Sequence, residues 1–266
     1  MISITKKFSR ADAKQIILNR LIWPNWRGQW ILGRHACLGL DVIKLASINT
    51  PIFNIQKGRV DFWLSCVKNP NLSTRTTEML RFMNRKDIIP LLRQQESFNN
   101  LPKHPPSFVY MDSLSELVDQ LFIHKVNRWG GCCYYSDINQ TADFKRKFEE
   151  IGLIDMDEIE SCYRDYFNLL RTKYDDVPII FLHFPSALEK REKFLGRGQV
   201  ILSVIEKIAK EHKNFFSLSI DETLVSKNID APPEMSDFPY HYNKETYNIF
   251  SKMLIEVLLS NNLLTK

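Results

Sequence analysis

The chain of 266 residues is 44% hydrophobic, 12% aromatic and 25% charged, which excludes a disordered, collagen-like or low-complexity protein. Its net charge of +5, from 36 Lys+Arg against 31 Asp+Glu, is small and spread along the chain, so no nucleic-acid partner is expected. No stretch reaches the ~18–20 uninterrupted apolar residues of a membrane span, and no stable membrane insertion is expected.

From the N-terminus, Lys6, Lys7, Arg10, Asp12 and Lys14 stand where a signal peptide would have its apolar centre, which predicts a cytoplasmic protein. Strands are predicted at 29–33 (Q-W-I-L-G), 51–56 (P-I-F-N-I-Q), 107–112 (S-F-V-Y-M-D), 177–184 (V-P-I-I-F-L-H-F) and 215–220. These runs lack polar alternation, as strands covered on both faces do. Between them, apolar residues return at i+3 and i+4 over 141–151, 156–173, 199–212 and 244–260, the pattern of amphipathic helices; Val200, Ile201, Val204, Ile205 and Ile208 trace one such face. Strand followed by helix, repeated along the chain, predicts an α/β fold: one doubly wound, mainly parallel five-stranded sheet flanked by helices, with right-handed crossovers. The region 69–106 holds Pro70, Pro90, Pro102, Pro105 and Pro106 and is expected to be a helical insertion within a single domain spanning 1–266. Trp129-Gly130-Gly131 reads as either a lid or a tight turn.

The five cysteines, Cys37, Cys66, Cys132, Cys133 and Cys162, are odd in number and unsuited to a disulfide framework. Cys132-Cys133 is an adjacent pair without the spacing of a zinc site, and no metal is expected. The chain has no G-x-G-x-x-G, P-loop or H-E-x-x-H, so no cofactor is expected either.

Ligands of such sheets bind beyond the carboxyl ends of the strands, which turns the strands into a series of candidate residues. The first delivers Gly33, Arg34 and His35, the second Lys57-Gly58-Arg59, the third Asp112 and Ser113, the fourth His183 and the fifth Asp221. Asp112 or Ser113 is also suited to cap the next helix, with Glu116 closing a capping box from Ser113. Lys190, Arg191, Lys193 and Arg197, with Gly196 and Gly198, form a basic loop that either binds phosphate or an acidic glycan or is solvated. Asp237 and His241 stand just before the last helix, where a carboxylate can hold an imidazole's tautomer while the other ring nitrogen accepts a proton.

This last segment resembles the final block of the SGNH/GDSL hydrolases, in which an Asp-x-x-His motif precedes the last helix. H-Y-N-K-E-T-Y-N-I-F at 241–250 is similar to that family's H-x-N-x-x-G-Y, with the Asp–His spacing here one residue longer. The strand ending in H-F-P and the opening W-I-L-G before a helix also resemble the family, so the likeness extends to the order of elements over most of the chain. It implies a flavodoxin-like sheet, His241 as general base and Asp237 as its orienting partner. The family's nucleophilic Ser follows the first strand in G-D-S, and some branches acting in surface-polysaccharide biosynthesis read G-S-C. Here Gly33-Arg34-His35-Ala36-Cys37 has no Ser, and the only nucleophile within reach is Cys37, two residues displaced. Cys37 is either a thiol activated by the helix N-terminus and His241 or a residue of the core. Where the family has the Asn of G-x-N-D, this chain has Asp112, and a carboxylate cannot donate to an oxyanion unless protonated.

The resemblance implies an esterase or O-acyltransferase acting on a carbohydrate or bacterial surface-polysaccharide precursor. Its substrate contacts would be Arg34, His35, Arg59, Asp112, His183 and Tyr242, and its partner an acylated or carbohydrate small molecule. Two alternatives are a glycosyltransferase on a similar sheet, with Asp112 or His241 as base and the basic loop holding a diphosphate, and a non-catalytic relative that lost the nucleophile. The oligomeric state is not legible.

Overall fold

The computed structural model describes residues 14, 17, 22–72, 78–229 and 238–263. Within them, the five apolar runs form one fully parallel sheet: β1 (Ile31–Arg34), β2 (Ile52–Asn54), β3 (Phe108–Asp112), β7 (Ile179–Leu182) and β8 (Phe215–Leu218), in the order β2-β1-β3-β7-β8. Every residue of β1, β3 and β7 is buried, as expected when helices cover both faces. On one face lies α1 (Cys37–Leu45), packed against α8 (Lys244–Ser260). There the hydroxyl of Tyr110 donates to Gly39 O of α1 at 3.1 Å. On the other face, α2 (Val60–Lys68) packs on α6 (Ile159–Tyr174), and α6 on α7 (Glu192–Glu211). Phe181 and Phe215 point that way, with ring centroids 5.7 Å from Tyr163 and 4.8 Å from Phe167 of α6. The chain leaves β1 for β2 on one side and later returns to β3 on the other, so the topological switch point falls between β1 and β3.

A second, antiparallel sheet was not expected from the sequence. It has the order β5-β4-β6, with β4 (Asp119–His124), β5 (Gly130–Tyr134) and β6 (Phe148–Gly152). The helix predicted over 141–151 is therefore shorter: α5 (Ala142–Lys147) is capped by Thr141, whose hydroxyl accepts from Phe144 N. It gives way to β6 at Phe148, whose ring stacks on Phe144 at 4.8 Å and meets Trp129 and His124. Trp129-Gly130-Gly131 is neither lid nor tight turn, because both glycines lie in β5. A Cβ on Gly130 would sit 2.4 Å from Ile123 Cδ1 and 2.7 Å from Phe122 O, so the close pairing with β4 needs its absence.

The 69–106 region supplies short 3-10 turns and α3 (Ile89–Gln94), with Pro90 in its first turn. Met79, Leu80 and Leu92 from this region pack with Phe122, Trp129 and Phe148 in a core beneath the small sheet. The remaining short helix, α4 (Leu114–Val118), links β3 to β4. The basic loop is largely helix: α7 begins at Glu192 and takes in Lys193, Gly196, Arg197 and Gly198. Arg197 is buried, donating to Glu116 O and Ile154 O.

Candidate active site at the carboxyl edge of the sheet

At the switch point the turns after β1 and β3 are joined by Asp112. Its Oδ2 accepts from Ala36 N at 2.6 Å and its Oδ1 from Leu114 N at 3.2 Å. Burial pushes this carboxyl up to about 7, against the pull of those amides and of Arg34. Asp112, rather than Ser113, thus serves the start of α4. The Ser113–Glu116 capping box does not form, because Ser113 Oγ accepts from Phe184 N and Glu116 is drawn across to Arg34.

The Arg34 guanidinium turns inward. It meets the two Glu116 oxygens at 2.8 and 2.9 Å, Gly58 O at 3.0 Å and Asp112 O at 3.2 Å, and both side chains are 0% exposed. Glu116 also accepts from Val60 N at the start of α2 and from the Tyr163 hydroxyl. His35 is fixed through its backbone, which exchanges two hydrogen bonds with the Asn54 side chain. Its ring packs on Tyr110 and over Gly39 in the core, where burial lowers its pKa to about 4. Arg59 donates to Asp61, Asp119 O and Gly152 O, and Lys57 reaches Asp119 at 2.8 Å and Asp137 at 3.6 Å. Arg34, His35 and Arg59, read from the sequence as ligand contacts, are therefore buried with their charged or backbone groups engaged by the protein itself. The amides of His35 and Ala36, where an oxyanion would be received, are already taken by Asn54 and Asp112.

Cys37, the first residue of α1, is half-buried, and its Sγ lies 3.6 Å from Tyr240 O. Burial and the Asp112 and Asp41 carboxylates push the thiol up to about 12, opposite to the activation expected at a helix N-terminus. Over it runs an aromatic strap. Tyr240 donates to Glu189 Oε2 at 2.6 Å, and Phe238 meets Tyr240 and His241, each at 5.3 Å. Tyr242 is fully buried and donates to Pro185 O at 3.0 Å, so it supports the strap rather than lining a free surface. Glu189, despite the opposing effect of burial, is held down to about 2 by the hydrogen bonds of Arg191 and Tyr240. Arg191 in turn donates to the Tyr134 hydroxyl at 2.9 Å.

His241 is half-buried; burial, with Arg85 nearby, lowers its pKa, while Asp41 opposes that shift. Asp237 lies outside the described residues. His183 accepts or donates at 2.9 Å with Ser217 Oγ, and burial lowers its pKa to about 3. A cleft of about 570 Å³ opens beside the strap, lined by Lys190, Arg191, Lys227, Phe238 and Pro239 among others. Among the described residues, no group of three His, Cys, Asp or Glu side chains is placed to hold a metal ion, and no helix is long and apolar enough to cross a membrane.

Sequence reasoning missed Asn54, Glu189 and Tyr240, and read Glu116 as a capping residue where it in fact bonds Arg34. Only the Glu189 loop carried a signal, its density of charge, which gives no partner. No family model matches the chain, and a search of curated proteins finds no match. Among solved structures it is similar to a salicylyl-acyltransferase, SsfX3, from a tetracycline biosynthetic pathway, with a TM-score of 0.39 and 9% identity over 90% of this chain. The chain covers 56% of that protein.

Proposed function

We propose that the protein is an esterase or O-acyltransferase acting on a carbohydrate, with the reaction at the carboxyl edge between β1 and β3 and His241 as general base. The observation that carries this reading is the 3.6 Å approach of Cys37 Sγ to Tyr240 O. It joins the start of the first helix to the residue before His241, the two segments in which the SGNH/GDSL resemblance locates nucleophile and base. A general base must be unprotonated at working pH, and the lowered pKa of His241 supports that. Cys37, with its thiol pushed up to about 12, is a poor attacking group in the resting protein. The attacking group in this reading is a water or an acceptor hydroxyl, whose proton passes to His241. Asp237 is the orienting carboxylate that the resemblance implies. The Glu189–Arg191–Tyr134 bonds hold the strap that carries His241.

A second reading, a glycosyltransferase, is favoured by the cleft with Lys190, Arg191 and Lys227, whose charges suit a donor diphosphate. Hydrolysis of p-nitrophenyl acetate by wild type, His241→Ala and Cys37→Ala separates the possibilities. Activity lost with His241→Ala but kept in Cys37→Ala supports attack by water or a hydroxyl, and loss in both supports a covalent Cys37 intermediate. No hydrolysis, together with a thermal shift on adding a sugar nucleotide, replaces the first reading by the second.

A further inference from the structure

A serine hydrogen-bonded to a histidine stands at the free edge of the parallel sheet, outside the chemistry described above. Ser217 on β8 is in register with Phe181 on β7, and His183 follows two residues after Phe181. Side chains two apart on a strand share a face, which brings Ser217 Oγ to 2.9 Å from His183 Nε2. β8 ends the sheet order. Its ladder to β7 uses the even-numbered residues: Ile179 N donates to Asn214 O and His183 N to Leu218 O. In a parallel ladder the alternate residues face away, so the Ser217 amide points off the sheet edge, and among the described residues nothing accepts from it. A groove of about 500 Å³ lies here between α7, β8 and Val257 of α8, with Glu206, Lys210 and Ser217 as its polar members. Ser217 is partly exposed and lines the groove, and His183, its hydrogen-bond partner, is buried.

We infer that Ser217 is a nucleophile served by His183, and that it accepts an acyl group from an activated ester of a short, apolar acid bound in the groove beside β8. In this step Ser217 Oγ bonds to the acyl carbon and its proton passes to His183 Nε2. The amide of Ser217 donates to the developing oxyanion. The bond from carbon to the leaving oxygen then breaks, and that oxygen takes the proton from His183, leaving acyl-Ser217 and a free alcohol. Phe215, Phe216 and Val257 give the groove the apolar wall that an alkyl chain needs. The site uses neither His241 nor Cys37, so it stands or falls apart from the function proposed above.

The test is reaction of the full-length protein with an alkyl fluorophosphonate, which exchanges its P–F bond for a bond to a nucleophilic serine, read by intact mass and peptide mapping. One adduct is expected, on the peptide containing Ser217. Ser217→Ala should abolish the adduct on that peptide, and His183→Gln should slow its formation by about a hundredfold, the usual contribution of a positioned base. Burial keeps His183 neutral well below the ordinary imidazole range, and the charged groups of the groove are Glu206 and Lys210. The labelling rate should therefore be level between pH 5 and 8. No adduct, an adduct mapped to another residue, labelling that persists in Ser217→Ala, or a rate that falls below pH 6.5 would each overturn the assignment.

Discussion

Replacing Glu116 by Gln asks what Arg34 is for. Arg34 stands at the end of β1, where ligands of parallel sheets bind, yet its guanidinium makes two bonds of 2.8 and 2.9 Å to a carboxylate as fully buried as itself. The same carboxylate accepts from Val60 N and the Tyr163 hydroxyl, so all the contacts it receives are donors. A Gln side chain turns an NH2 toward some of them and deprives the buried guanidinium of the carboxylate it is bonded to. Removing one member of a buried ion pair costs about 3–5 kcal/mol. At roughly 2.1 cal/mol/K of unfolding entropy per residue over a chain of this length, that corresponds to a fall in Tm of about 5–9 °C. Differential scanning calorimetry and urea titration read the loss. A second variant, Arg34→Met with Glu116→Leu, removes both charges but leaves Val60 N, the Tyr163 hydroxyl and the Gly58 and Asp112 carbonyls without these partners, so it should recover little of the loss. A loss under about 1 kcal/mol for Glu116→Gln would refute the view of Arg34 as an internal brace.

Further predictions concern the buried histidines, the strap and two glycines. His35 and His183 have pKa values lowered to about 4 and 3, so between pH 6.5 and 4 the unfolded chain binds protons that the folded one refuses. Their share of stability is present above pH 6.5 and is lost as pH falls, while Asp112, pushed up to about 7, binds a proton in the folded chain over the same range and offsets part of that loss; the urea midpoint should drop moderately, and less in His35→Gln. Tyr240→Phe removes the 2.6 Å bond to Glu189 and should cost about 1.5–3 kcal/mol, the value of a bond to a charged group, with faster hydrogen exchange confined to 238–242. Gly130→Ala places a methyl 2.4 Å from Ile123 Cδ1 and should destabilise by about 1–3 kcal/mol. Gly196→Ala, in α7 with nothing within 4 Å of the new carbon, should stabilise by about 1 kcal/mol; both are read as shifts of the denaturant midpoint.

The parallel sheet was legible because its strands are buried on both faces and so write themselves as uninterrupted apolar runs; Ile179–Leu182 is I-I-F-L. Helices α6 and α8 were legible through their i+3 and i+4 returns. The small sheet was not. β5 reads G-G-C-C-Y, without a β-branched residue, and β6 exposes Glu149 and Glu150, which with Phe144 and Phe148 mimic a helical stripe. Its strands exist because β4 supplies partners on both sides, a fact no local window contains. At the carboxyl edge, position was legible and direction was not. Whether Arg34 faces a ligand or the interior is decided by Glu116, 82 residues further on, whose local pattern reads as a capping box. The inward turn of the His35 ring likewise depends on Gly39, which leaves room for it.

The antiparallel layer is fastened to the parallel sheet by buried cations as well as by apolar packing. Lys57 and Arg59 are both buried on the segment after β2; Lys57 pairs with Asp119 and Asp137, and Arg59, paired with Asp61, donates to the carbonyls of Asp119 and Gly152. Arg197 reaches Ile154 O from the far side. A shortened chain lacking 119–152 would remove both carboxylate partners of Lys57, while Arg59 would keep Asp61. The dependence runs the other way as well: with the layer in place, Lys57→Met would leave the buried Asp119 and Asp137 without that cation.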